Sequence, residues 1–182
     1  MAITISRYDP AIAYNHQKSF DCGHEVINGF VTRSLKQQVQ RNLSAAYVLT
    51  DGDTFVGFCT LMAASVGRAE LAATNPPSLP VAVPVTKLSM LGVAKSHSRQ
   101  GLGRQLLRRA IQAMIESSRT VGTYGLYLDA DDGAYEFYVK LGFVPLKARQ
   151  APNPTPMFLP LATARQAVGA TAGQSPVNPG SG

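Results

Sequence analysis

The sequence predicts a mixed α/β domain, one mixed β-sheet with helices on both faces. Three observations carry that reading. Two apolar runs, 45–50 and 55–65, flank Asp51-Gly52-Asp53, a hairpin turn signal. A strand pattern over 85–93 then runs through a Gly-rich loop into a strongly periodic helix, which is a βα succession. Long βαβ units are too few for a doubly wound sheet, so the sheet is expected to mix directions.

In chain order, residues 2–8 read as an edge strand. Asp21 is placed to cap a helix over 22–41, whose stripe is Val26, Ile27, Phe30, Val31, Leu35 and Val39. After the hairpin, four prolines between 75 and 84 predict an extended loop, followed by the 85–93 strand. The helix after the Gly-rich loop carries Leu106, Leu107, Ala110, Ile111, Met114 and Ile115 on one face. Residues 124–129 form a short strand, and Asp131 or Asp132 caps a helix through Leu141. Gly142 stands where a left-handed residue ends that helix. Residues 143–145 and 157–161 are the closing strands. Residues 1–166 thus form one domain. The stretch 167–182, poor in large apolar residues, reads as a disordered tail.

Composition narrows the function classes. The chain has 182 residues, 45% hydrophobic and 15% charged, which excludes global disorder. Two cysteines form neither a disulfide framework nor a metal-ligand spacing, so no metal is expected. The start Met1-Ala2-Ile3-Thr4-Ile5-Ser6-Arg7 lacks the pattern of a signal peptide, and no run reaches the roughly 20 apolar residues of a membrane span. A cytoplasmic protein without membrane contact is expected. Seventeen basic residues against 11 acidic ones give +6, which favours a polyanionic partner or a phosphorylated cofactor. The cations cluster twice, as Lys95, Arg99, Arg104, Arg108, Arg109 and Arg119, and as Lys18, Arg33, Lys36 and Arg41.

The segment Ser98-Arg99-Gln100-Gly101-Leu102-Gly103-Arg104 joins strand to helix. Glycines there allow close backbone approach, and unpaired amides at a helix start favour an anion, so the segment suits a pyrophosphate. No Gly-Lys-Ser/Thr follows, which rules out the nucleoside-triphosphate P-loop. Leu106 stands where a dinucleotide fingerprint needs its third glycine. Further on, Ala134, Phe137, Tyr138 and Leu141 share a helix face, so the Tyr138 phenol points inward or toward a groove, as a proton donor at neutral pH. Cys22 and Cys59 read as structural thiols. His16, His24 and His97 read as surface residues or caps rather than ligands, and Asn28 as groove lining or surface.

These residues resemble the GNAT (Gcn5-related N-acetyltransferase) superfamily. The resemblance lies in Leu91-Gly92-Val93 followed by Arg99-Gln100-Gly101-Leu102-Gly103-Arg104, and in Ala134-x-x-Phe137-Tyr138-x-x-x-Gly142-Phe143 about thirty residues later. Ser98 departs from the family's usual Gln or Arg three residues before the first loop glycine. At the N-terminus, Phe20-Asp21-Cys22-Gly23-x-x-x-Ile27-Asn28-x-Phe30 looks like the GNAT toxins of bacterial toxin–antitoxin modules, and the likeness covers about residues 5–166.

What the resemblance implies is a GNAT fold with a splayed central strand and acetyl-CoA as co-substrate, bound by Leu91, Gly92, Val93 and the 99–104 loop. It implies acetylation of the α-amine of aminoacyl-tRNA, a homodimer, and neutralisation by a ribbon–helix–helix antitoxin. On that reading Arg33, Lys36, Arg41 and Arg108 are candidate contacts to tRNA phosphates, and Tyr138 protonates the leaving thiolate. The backbone of Gly92 or Val93 would hold the oxyanion, and residues 90–93 would pair with the pantetheine arm. No side chain reads as a general base, so solvent is expected to take the amine proton. The alternatives are a GNAT acting on a small-molecule or protein amine, and a non-catalytic partner-binding domain.

Overall fold

A computed structural model describes residues 2–172. The elements are β1 (Ile3–Arg7), α1 (Glu25–Arg33), α2 (Leu35–Gln40), β2 (Ala45–Asp51), β3 (Thr54–Gly67), β4 (Ala82–Val93), α3 (Leu102–Ser117), β5 (Gly125–Ala130), α4 (Tyr135–Lys140), β6 (Val144–Pro145), β7 (Thr155–Pro160) and α5 (Leu161–Ala172). All seven strands share one sheet in the order β1-β2-β3-β4-β5-β7-β6. The β4–β5 pairing is parallel, and the others are antiparallel.

Side-chain alternation on the central strands builds a core on each face. Tyr47 and Leu49 of β2, with Cys59 of β3, face a cluster completed by Leu102, Leu106, Leu107, Ala110 and Met114 of α3. Ala46 and Val48, with Phe55 and Phe58, face Val31 and Leu35 of α1 and α2 on the other side. Both faces of β2 and β3 are therefore covered, which is why those strands read as continuous apolar runs.

The expected 22–41 helix is corrected in four ways. It starts at Glu25 with His24 as N-cap, and Ser34 divides it into α1 and α2. Asp21 does not cap it. Its carboxylate accepts instead from the Gly23 N–H at 2.8 Å and from Asn28 Nδ2 at 2.9 Å. Val26 is not core but 64% exposed, on the rim of a pocket described below.

Strand β4 begins three residues earlier than expected and takes in Pro84, which pairs with Ser65. Its missing N–H costs no ladder bond toward β5, where pairing is confined to Thr86–Leu126 and Lys87–Tyr127. The tail boundary also moves. Residues 161–172 are helical, with Ala164 buried and Arg165 donating to Ser118 Oγ at 3.1 Å. Small residues at helical spacing pack without the large apolar stripe that sequence patterning detects. Residues 173–182 of the expected tail lie outside the described ones.

One feature of the sheet makes the site. After Lys87, β4 continues to Val93 and β5 to Ala130, yet the described residues show no pairing between them beyond that point. The strands diverge, and β4 keeps only its β3 neighbour, up to the Val93–Gly57 pair. Its backbone from Leu88 onward therefore offers an open edge.

Candidate active site

The open edge of β4 leads to the Gly-rich loop. Gly101 is the N-cap of α3 with φ +73°, and Arg99 is also left-handed at φ +60°. The first bond inside α3 runs from the Gln105 N–H to the Gly101 carbonyl. The amides of Leu102, Gly103 and Arg104 therefore have no partner within the helix. A Cβ added at Gly101 would meet nothing within 4 Å, and one at Gly103 would meet only Leu91 Cδ2 at 3.9 Å. Gly101, Leu102 and Gly103 line an open cleft among the described residues, so the loop fits a pyrophosphate.

Leu91, Gly92, Val93, Arg99, Gly101, Leu102 and Gly103 line one cleft of about 320 Å3, together with Cys22, His24, Ile27, His97 and Ser98. Gln100 and Arg104 do not line it. Both are exposed, and Arg104 faces a groove between α3 and α5 beside Arg108. The Ser98 hydroxyl donates to the Lys95 carbonyl at 2.9 Å and closes the turn before the loop. Arg99 is thus the guanidinium on the cleft wall. Two other cations of this cluster are neutralised: Lys95 by Asp21 at 2.8 Å, and Arg109 by Glu116 at 3.0 Å.

A second pocket, of about 300 Å3, occupies the fork between β4 and β5. Tyr138 lines it from α4, opposite Leu88, Ser89, Met90 and Leu91 of β4. The phenol is buried, edge-on to Phe137 and Phe143. Burial, helped by the Asp131 carboxylate, pushes its pKa up to about 12, so it stays protonated at neutral pH. Asp129 closes one wall, held by Lys87 Nζ and the Tyr127 hydroxyl, each at 3.1 Å. Asp131 lies 3.3 Å from His24 Nε2. The two pockets share His24, Ile27 and Leu91, so they meet at one point.

The N-terminal motif works as a staple. The Cys22 N–H donates to Asn28 Oδ1 at 2.8 Å, while Asn28 Nδ2 and Lys95 Nζ both donate to Asp21. The Lys95 N–H adds a bond to the Asp21 carbonyl at 2.9 Å. Asn28 is therefore a loop lock that ties the start of α1 to the segment feeding the Gly-rich loop. Behind it, Gly92 accommodates α1: an added Cβ would stand 3.0 Å from Ile27 Cγ2 and 3.5 Å from Cys22 Sγ.

The basic residues separate. Arg33 and Lys36 line a groove of about 900 Å3 with Lys18 and His16. Arg41 ends α2 outside that groove, and Arg108 lies on α3 elsewhere. Burial holds the Cys22 thiol above its ordinary pKa and pushes that of Cys59 up to about 12, so both stay protonated. Among the described residues no group of His, Cys, Asp and Glu is arranged to hold a metal ion, and no helix is long and apolar enough to cross a membrane. Sequence reasoning missed the His24–Asp131 pair, because its members stand 107 positions apart. The available signals were that His24 follows Gly23 in the N-terminal motif and that Asp131 opens the Tyr138 segment.

The model of the acetyltransferase (GNAT) domain matches residues 42–145. A tRNA-acetylating toxin of Mycobacterium tuberculosis is 32% identical over 127 residues, which cover 69% of this chain and 76% of that protein. The crystal structure of a bacterial toxin superposes with a TM-score of 0.88 at 34% identity, covering 92% of this chain and 96% of the other. AtaT complexed with acetyl-methionyl-tRNAfMet gives 0.79 at 27% identity, with 92% and 99% covered. A mutant AtaT toxin bound to the C-terminus of the antitoxin AtaR and acetyl-CoA gives 0.75 at 26%, with 92% and 98% covered. A forked sheet, a glycine loop at a helix start and a buried tyrosine at the fork thus coincide with a matching domain model, and the chain belongs to the GNAT acetyltransferase family.

Proposed function

We propose that this chain transfers the acetyl group of acetyl-CoA to the α-amine of aminoacyl-tRNA, and so acts as a translation-blocking toxin. The observation that carries it is the meeting of the two pockets at the fork, one beside the anion-binding loop and one lined by Tyr138. The similarity to a tRNA-acetylating toxin, and to AtaT holding an acetylated aminoacyl-tRNA, supports the choice of acceptor.

Acetyl-CoA supplies an activated thioester. The residues that fit it are Leu91, Gly92 and Val93 along the open edge, with the loop amides and Arg99 at the pyrophosphate. Residues 90–93 pair with the pantetheine amides as an added strand would. The backbone N–H of Gly92 or Val93 stabilises charge developing on the carbonyl oxygen. Tyr138 donates a hydrogen bond to the departing sulfur and completes the proton transfer as the thiol leaves. Arg33 and Lys36, in the large basic groove, hold tRNA phosphates; Arg41 and Arg108 are separate contacts. A ribbon–helix–helix antitoxin, a homodimer and a cytoplasmic location complete the reading, supported by the toxin-like N-terminal motif and by the likeness to an antitoxin-bound toxin.

The deciding experiment supplies labelled acetyl-CoA with matched pools of aminoacylated and deacylated total tRNA. Label entering only the charged pool is expected. Label in neither pool, with acetyl-CoA still bound, sinks the tRNA acceptor in favour of a small-molecule or protein amine. Failure of acetyl-CoA to raise the melting temperature points to a non-catalytic domain.

A further inference from the structure

The proposed reaction releases one proton that the sequence pattern leaves to solvent. When an amine attacks a thioester, its nitrogen must shed a proton, and Tyr138 cannot take it because its phenol is already protonated. Among the described residues, four groups near the fork are chemically able to accept a proton: the Asp129 and Asp131 carboxylates, the Cys22 sulfur and the His24 imidazole. Asp129 is engaged twice, by Lys87 Nζ and by the Tyr127 hydroxyl. Burial keeps Cys22 as a thiol. Asp131 and His24 face each other at 3.3 Å.

The position of His24 is particular. Of the three residues common to the cofactor cleft and the fork pocket, Ile27 and Leu91 are apolar, so His24 is the one with a ring nitrogen to offer a proton. Its backbone is fixed in an extended conformation as the N-cap of α1, and its carbonyl accepts the Asn28 N–H at 2.9 Å. The Asp131 backbone is fixed as well, because its carbonyl accepts the Ala134 N–H at 2.8 Å in the turn leading to Tyr138. The approach is an ionic one between half-exposed side chains, 45% and 54% exposed, and a carboxylate on that side of the ring favours a hydrogen on Nε2, which leaves Nδ1 as the acceptor.

We propose that His24, oriented by Asp131, accepts the proton of the attacking amine. The amine nitrogen forms a bond to the thioester carbonyl carbon, and its proton passes to His24 Nδ1. The carbon–sulfur bond breaks, and the sulfur takes the proton of the Tyr138 hydroxyl and leaves as the thiol. His24 releases its proton to solvent, from which Tyr138 is reprotonated, so each turnover yields one amide and one thiol. Asp131 acts as a positioning residue. His24 caps the start of α1 and Tyr138 is on α4, so the two protons are handled by residues of different elements lining the fork pocket. This inference rests on the aminoacyl-tRNA reading above.

The test follows transfer of labelled acetyl to aminoacylated tRNA by the full chain, for wild type, H24Q, H24A and D131N. Expected is a fall in kcat of about 100-fold in H24Q and H24A, with most of the acetyl-CoA-induced rise in melting temperature kept. Added imidazole should restore H24A by about tenfold and leave wild type unaffected, a response that a merely structural histidine does not give. D131N should lose less than H24Q and keep its affinity for acetyl-CoA. H24Q activity within about threefold of wild type overturns the assignment. So does a loss in H24A that imidazole does not relieve. If the wild-type protein fails to label charged tRNA, the acceptor reading falls first and this inference with it.

Discussion

Gly92 and Gly101 are glycines for different physical reasons, and substitution separates them. At Gly92 an added Cβ would stand 3.0 Å from Ile27 Cγ2 and 3.4 Å from Phe58 Cε1, so overpacking decides the outcome. Gly92→Ala is expected to destabilise by about 1–3 kcal/mol in chemical denaturation. At Gly101 the protein offers open space, but φ is +73°. Gly101→Ala is therefore expected to cost about 1 kcal/mol of stability and to weaken acetyl-CoA binding, which calorimetry reads directly. Tyr138→Phe removes a buried hydroxyl donor and leaves the ring contacts with Phe137 and Phe143. It should lower kcat by about 100-fold or more and leave the affinity for acetyl-CoA within about twofold. Activity near wild type would remove Tyr138 from the reaction. The Tyr138 donor and both glycines were legible as spaced motifs, because each acts through its own backbone or helix face. The His24–Asp131 pair was not, because it exists only after two elements far apart in sequence have packed.

At the scale of elements, the staple between α1 and the segment before α3 makes a prediction about acid. The Asp21 carboxyl is held down to about 2 by hydrogen bonds from Lys95, Gly23 and Asn28. Its folded value lies below the ordinary 3.8, so the unfolded chain binds the proton more readily as pH falls. The stabilisation is thus complete above about 4, and it is lost progressively as pH drops toward about 2. Wild type should lose melting temperature over that window more steeply than D21N, which lacks the titrating group; equal slopes would show that the staple does not couple to folding. Elements whose signal is local were read well: the hairpin at Asp51-Gly52-Asp53, α3 with its apolar stripe, and Gly142 at φ +94° after α4. Elements decided by distant partners were not. Helix α1 starts only at Glu25 because the Asp21 carboxylate is taken up by Lys95, the Gly23 N–H and the Asn28 side chain instead of capping a first turn, and α5 forms because small residues such as Ala164 find a place against the sheet.

For the molecule as a whole, the excess of six positive charges matters only where the fold gathers it. Lys18, Arg33 and Lys36 converge on one groove, whereas Lys95 and Arg109 are tied to acids. Binding of charged tRNA should weaken as salt rises, and R33A or K36A should each lower the logarithmic salt slope by about 1. An unchanged slope in both variants would place the phosphate contacts elsewhere. The sequence by itself determined the mixed α/β class, the glycine loop that opens α3 and the buried phenol, since these follow from periodicity and glycine placement within short stretches. Only the tertiary structure decided that β4 and β5 part after Lys87, which cations share a surface, and that His24 reaches Asp131. Those are matters of distance between residues remote in the chain. No local propensity encodes such distances; packing of the helices on both faces of the sheet sets them.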